Sequence, residues 1–439
     1  MPNLIEDHAV VARLLSAHTP PELAEVRERA YQAFTATGFP TVRDEEFRYV
    51  SLRALEEGGF KPAYGANVDR HETEGVALGK LDAFEVTFVN GQYAPEVSSH
   101  GSLPGNVFAG TLADAFEVDA ERVLAHLGKV ATLQGKLGST NDERFVHLNT
   151  AYLGEGAFVF VPRGIAVERP IHLRFLTKGD HGPLAVFPRV LIVLEDGATA
   201  KVVESYGHLA GVAFTVPVTE VVLGRDSILE LTRAQIEGDD SVHVSNTAVT
   251  QAAGSTLTHN NLNLGGHVVR HDVNVWLGGE HTETWLNGAA VGQRDMVVDN
   301  HTRIDHAQPN CHSFETYKSV LDDESTGVFN GKIFVYEDAQ KTDAKQTNQG
   351  LLLSPRATFN TKPQLEIFAD DVKCTHGATV GQLRDDALFY LRARGVPKKQ
   401  AESLLVYAFA AEVFEKVTVA DAKDALEALL FERLGTGQV

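Results

Sequence analysis

From about Phe158 to Phe368 helix signatures fade, and short runs of alternating apolar and polar residues take over, each ended by Gly, Asp or Asn. In one run Val269, His271, Val273, Val275 and Leu277 share one parity and Arg270, Asp272 and Asn274 the other, which is the period of a strand with one buried face. Turn signals fall at Gly197, Gly224, Gly254, Gly279, Arg294, Glu324, Ala339 and Pro355. Their spacings are near-multiples of roughly 15 residues, the mark of a repetitive β architecture.

Such a series can close as a sandwich, a barrel or a parallel β-helix. No helical crossovers separate the strands, which argues against a βαβ sheet, and two-residue hairpin turns are scarce, which argues against an antiparallel meander. A solenoid fits best, because one coil cannot bury its inward face alone and stacking supplies the core. Its ends need caps, and the helical segments at the two termini are the candidates.

Residues 1–150 read as an N-terminal helical and small α/β region. Val10, Val11, Leu14 and Leu15 mark a helix over Leu4–Ser16, a second amphipathic run from Leu23 to Thr37 stops at Gly38, and an acidic-aromatic turn, Arg43-Asp44-Glu45-Glu46-Phe47-Arg48-Tyr49, follows. Asn90-Gly91 is a hairpin signal, and Asp119–Leu127 reads as a short helix. Residues 151–376 form the strand solenoid and 377–439 a C-terminal helical domain. There Leu383, Leu388 and Leu391 mark a first helix, with Asp385 and Asp386 early and Arg392 and Arg394 late, the charge order that suits the helix dipole. Leu404, Leu405, Ala408, Phe409, Ala411 and Phe414 give a second helix with little polar face, part of which should meet the solenoid or a partner; a third runs from Val419 to Leu434.

With 43% hydrophobic and 22% charged residues the chain has the composition of an ordinary soluble protein. No apolar run of about 18 residues occurs, and the start lacks the basic-then-apolar pattern of a signal peptide, so a cytoplasmic protein without membrane association is expected. A formal net charge of -20 argues against a nucleic-acid partner, since neutralising phosphates takes a basic face.

Two cysteines, Cys311 and Cys374, are present. A cytosolic chain keeps its thiols reduced, so no disulfide is expected, and two thiols cannot fill the four-thiolate site that usually holds an iron–sulfur cluster. If the stretch before Gly381 is extended, Cys374 and His376 share a face, and a thiolate beside an imidazole can bind a soft or borderline metal or take part in sulfur chemistry. A lone Cys-x-His is nonetheless more often a packed thiol beside a hydrogen-bonded imidazole, and two groups leave a four-coordinate shell unfinished. Seven of the 18 histidines fall between His259 and His312, where polar strand positions on a solenoid surface are the plainer explanation and a self-contained metal site the sharper one. Asp299, Asp305, Asp322 and Asp323 bring to mind the acidic sites of β-helical polysaccharide lyases, which are typically exported. There is no Gly-x4-Gly-Lys-Ser/Thr, Gly-x-Gly-x-x-Gly, His-Glu-x-x-His or Gly-x-Ser-x-Gly, and Gly327–Lys332 has the wrong spacing for a phosphate loop, so the chain should not hydrolyse nucleotide by itself.

Lys362-Pro363-Gln364-Leu365-Glu366-Ile367, the run from Asp370 to Gly381, Ala387 to Gly395, and Tyr407-Ala408-Phe409-Ala410 closely resemble the SufB/SufD family of iron–sulfur cluster assembly proteins. Tyr317-Lys318 and Gly327-Val328-Phe329-Asn330-Gly331-Lys332-Ile333 match as well. Earlier in the chain the likeness thins to Leu148-Asn149-Thr150-Ala151 and Glu45-Glu46-Phe47-Arg48-Tyr49. The SufD branch is the better fit, because SufB members normally supply additional cysteines. The resemblance implies a mainly β fold, a right-handed parallel β-helix core with N-terminal and C-terminal α-helical domains. It implies a non-catalytic subunit that pairs with a SufB-like paralogue and binds a SufC-like ATPase through the C-terminal helices, at Leu388, Tyr390, Leu404, Tyr407 and Phe409. It further implies a transient cluster assembled at the SufB/SufD interface with Cys374 and His376 contributing, shared with the partner and not held stably by this chain. FAD has been linked with the family's complex, but no flavin signature is present and none is assigned. A homodimer is expected as an alternative pairing when the chain is alone. The competing readings are a β-helical polysaccharide-active enzyme and a stand-alone metal-binding protein.

Overall fold

The structure, a computed structural model, describes residues 8–16, 19–99, 101–132, 142–179 and 182–434. The beginning of the helix expected from Leu4, and residues 435–439, lie outside them. The core is a parallel β-solenoid of two facing sheets, with helices in the N- and C-terminal parts of the chain. From Ala157 onward successive coils lie in parallel register, advancing between 26 residues, at Val242↔Val268, and 33 residues, at Ala157↔Val190. Each coil contributes one strand to each sheet, so the spacing of roughly 15 residues is half a coil.

One corner of the coil is built by a ladder of left-handed residues: Gly197, Asp226, Gly254, His281, Asn310 and Lys341 have φ between 55° and 70°. The N–H of each donates to a carbonyl in the turn of the next coil, from Gly197 to Arg225 at 2.7 Å through to Lys341 to Asp371 at 2.7 Å. The turn thereby satisfies its own backbone along the stack. At the expected hairpin Asn90 and Gly91 both have positive φ, and Val89 pairs with Gln92 across it.

Val269, His271, Val273, Val275 and Leu277 point inward and are at most 1% exposed. The opposite parity was expected to face solvent, yet Arg270 is 1% exposed, because the turn Glu45–Phe47 lies over it. Of the seven histidines between His259 and His312, His281 and His312 are exposed as expected of surface positions, but three are not. His259, His271 and His306 are buried inside the solenoid, and burial lowers His259 and His306 to about 3, leaving both neutral at pH 7. Around them Arg233 donates to Asn261 at 2.7 Å, Asn263 at 3.1 Å and Ser245 at 2.9 Å, so the mid-stack interior carries a polar network and is not a hydrocarbon core alone, although both ring nitrogens of His259 and Nε2 of His271 have no hydrogen-bond partner among the described residues.

Among the described residues neither end is capped by helices. At the N-terminal end the sheets finish in Gln92–Tyr93 and Phe108–Thr111, both antiparallel to their neighbours, and Tyr93, Leu103, Val107 and Ala109 pack against the interior. The C-terminal helices Lys398–Phe414 and Ala420–Arg433 lie along the outer face of the sheet that ends in Lys373–Gly381, where Val406, Ala410, Val413 and Phe414 meet Ala289, Val291 and Val320. The face expected from Leu404, Leu405 and Phe409 is only half-buried. A helix apolar nearly all round does not select its own buried stripe, and the small residues on the sheet select it instead. Leu148–Ala151 is structural: Asn149 is fully buried and its amide donates to the carbonyls of Pro188 at 2.8 Å and Val216 at 2.7 Å, fastening a helix to the solenoid.

Candidate functional site

Lys373–Gly381 is the last strand of one sheet and Thr358–Ile367 the last of the other; each pairs on one side only among the described residues. They are nine and ten residues long, so the C-terminal end of the stack presents two rows of backbone donors and acceptors. Lys373 N–H donates inward to the Thr342 carbonyl at 2.8 Å. In a parallel ladder alternate residues bond to opposite neighbours, so Cys374, His376, Ala378 and Val380 offer their backbone groups to the open side. On the other edge Thr358 N–H donates inward to Ser325 at 3.0 Å, which places Pro363 with its missing donor toward the opening.

Cys374 and His376 are in register with Ala344 and Gln346, both fully buried inside the solenoid, so the pair faces the mouth of the interior on the final rung. Cys374 is half-buried against a cluster containing Ile333, Val335, Ala339 and Ala344, and burial pushes its thiol up, with the nearby Asp343 charge adding to the effect. A metal ligand must be the thiolate, so this thiol needs an added positive charge to ionise readily. His376 is exposed. Behind it Gln346 donates to Glu315 at 2.6 Å, and burial pushes the Glu315 carboxyl up to about 7.

Cys311 is fully buried, with its Sγ donating to the Gly279 carbonyl at 3.2 Å; both cysteines are free. Among the described residues no group of three or more His, Cys, Asp or Glu side chains is arranged to hold a metal ion. The four aspartates do not converge: Asp299 pairs with Arg270 at 2.7 Å and Asp305 with Arg303 at 2.7 Å, while Asp322 and Asp323 sit in a turn between two strands. No helix among the described residues is long and apolar enough to cross a membrane.

The five aromatic and leucine positions of the C-terminal helices do not make one patch. Tyr407 stacks on Phe431 at 4.3 Å, and Lys318 sits 4.8 Å above Phe409, so both rings are engaged within the chain. Tyr390 is 55% exposed on Asp385–Ala393, a helix with no buried residue, beside Phe389 at 73%. Nothing in the local sequence sets Phe389 apart from its neighbours; its exposure follows from the helix standing off the sheet.

Comparison with known proteins places these features in one family. Residues 175–409 match the SufBD core domain of the SUF system for FeS cluster assembly, and residues 3–173 match the SufBD protein N-terminal region. An iron–sulfur cluster assembly SufBD family protein of Synechocystis sp. is 32% identical, over 92% of this chain and 89% of its own. The iron–sulfur cluster assembly protein SufD of Escherichia coli is 31% identical over 92% of both chains, and the chloroplastic protein ABCI7 of Arabidopsis thaliana 29% identical over 92% of this chain and 84% of its own. The chain belongs to the SufBD family of iron–sulfur cluster assembly proteins.

Proposed function

We propose that this chain is a SufD-like, non-catalytic subunit of an iron–sulfur assembly complex, and that it pairs through the open end of its solenoid with a SufB-like paralogue richer in cysteine. The observation that carries the reading is the placement of Cys374 and His376 on a terminal strand whose outer edge pairs with no strand among the described residues. A thiol and an imidazole there supply at most two ligands, so the remaining ligands for a transient cluster come from across the junction. The cluster is cargo, assembled and passed on, and no flavin or resident metal is assigned to this chain.

A SufC-like ATPase would dock on the C-terminal helices. Of the five positions, Tyr390 and the half-buried Leu388 and Leu404 are available to it, with Phe389 added, while Tyr407 and Phe409 support the helices from within. Two free thiols suit a reducing compartment such as the cytoplasm. A second copy of this chain can occupy the same open end when the paralogue is absent.

The test is His376→Ala and Cys374→Ser in the complex reconstituted with the paralogue and the ATPase. Cluster formation should be lost while circular dichroism and co-purification stay as in the unsubstituted complex; unchanged cluster yield in both variants would overturn the site assignment.

A further inference from the structure

The turn Glu45–Phe47 belongs to the acidic-aromatic motif near the start of the chain, and the assembly site does not use it. It lies on the outer face of the solenoid. In register across four successive strands there stand Asp272, His301, Asn330 and Lys362. The turn is fastened to three of them. His301 Nδ1 is 3.1 Å from Glu46 Oε2, Asn330 Nδ2 donates to the same oxygen at 3.0 Å, and Lys362 Nζ is 2.7 Å from Glu45 Oε1. Arg270, on the same strand as Asp272, donates to the Glu46 carbonyl and sits 4.0 Å above the ring of Phe47, which is 1% exposed.

The turn is thus tied along the stacking axis of the solenoid as far as the terminal strand Thr358–Ile367. Most of its fastenings are fixed charges or neutral groups. His301 is the one that can change charge near neutral pH.

We propose that Glu45–Phe47 is a strap whose grip on the last coils depends on the charge of His301, holding tightly while that imidazole is protonated and loosening when it is neutral.

The surroundings support this. His301 Nε2 lies 2.9 Å from Asp299 and its Nδ1 faces Glu46, so a proton on each nitrogen has a carboxylate to meet. Arg270 works against it, with its guanidinium 3.2 Å from each ring nitrogen, but is itself neutralised by Asp272 at 2.8 Å and Asp299 at 2.7 Å. Lys332, on the neighbouring strand, is paired with Glu366 at 2.7 Å. Burial and Arg270 lower the His301 value and the two carboxylates raise it; the carboxylates prevail, and it stands above its ordinary 6.5.

A raised histidine contributes stability that is present below 6.5 and is lost as pH rises through the higher folded value. Glu46 and Asp299 stand below their ordinary values and contribute stability lost as pH falls. Asp272, raised by burial, opposes ionisation on the acid side. The strap therefore holds best in mildly acidic solution and releases first on the alkaline side.

Hydrogen exchange of the full chain, expressed as protection relative to the intrinsic rate at each pH, tests this in the peptide spanning residues 44 to 49. Protection should fall about tenfold between roughly pH 6 and pH 8.5, the order of change expected when one charge-assisted hydrogen bond is lost. In His301→Gln it should be low and flat across that range while the solenoid strands keep theirs. Glu46→Gln, which leaves the solenoid untouched, should give the same loss from the strap side and stands in if His301→Gln does not fold. Protection independent of pH in the native chain, or a pH dependence that survives in the variant, would overturn the proposal. So would a fall shared equally by the strap and the solenoid strands.

Discussion

At its N-terminal end the stack finishes in short antiparallel strands, Gln92–Tyr93 and Phe108–Thr111, with Tyr93, Leu103, Val107 and Ala109 laid over the first coil. At its C-terminal end two long parallel strands stop with one edge unpaired among the described residues. The same inward column records the difference: Tyr206 and Ala290 within the stack are 1% and 2% exposed, and Val380 on the last rung is 47% exposed. Burial in a solenoid belongs to a position in the stack more than to a residue type. An end that is sealed serves stability, and an end left open costs stability locally and leaves a surface for another chain.

The largest effect should come from the middle of the stack. Leu286→Ala removes a fully buried side chain between two coils and should cost about 2–5 kcal/mol in urea unfolding, whereas Val380→Ala on the final rung should cost less than about 0.5 kcal/mol. Equal costs would mean that the open end is covered in the isolated chain.

Next is the pH response of the interior. Glu315 is 1% exposed and stands at about 7, above its ordinary 4.5, so between those values the folded chain holds a proton that the unfolded chain has lost. Stability then falls as pH rises through that window, by on the order of 3 kcal/mol at most. Glu315→Gln should flatten this fall and raise the unfolding midpoint at pH 8; an unchanged profile would place the charge cost elsewhere.

The smallest effect on the fold, and the sharpest on the contrast between ends, should come from proline. Ala378→Pro removes a donor that faces the open side and should leave stability within about 1 kcal/mol while abolishing pairing in size-exclusion or binding measurements. Thr379→Pro removes an inward donor and should destabilise the chain itself by about 1–3 kcal/mol.

The alternation and turn spacing made the solenoid legible before any coordinate. The corner ladder was legible in part: Gly197 and Gly254 mark left-handed positions, Asp226 and Asn310 tolerate them, and His281 and Lys341 carry no signal of their own. What the sequence concealed were contacts made across great separation. Arg270 has the parity of a solvated residue and is buried by a turn 224 residues away. The C-terminal helices have the pattern of a cap and lie along a sheet, because their docking is decided by small residues on strands far upstream. At the site, the shared face of Cys374 and His376 followed from strand period alone. The bare edge did not, although the inward positions of that strand, Cys374, His376, Ala378 and Val380, are poor in large apolar side chains, as befits a rung with nothing stacked upon it.

Pro363 makes the two bare edges unequal. A strand added along Lys373–Gly381 meets an unbroken series of donors and acceptors, while one added along Thr358–Ile367 meets a carbonyl with no accompanying N–H at its centre. The opening is therefore asymmetric: a strand added along Thr358–Ile367 leaves one of its carbonyls without a donor opposite Pro363 whichever way it runs, and the edge that bears the thiol and the imidazole is the one that offers a complete ladder.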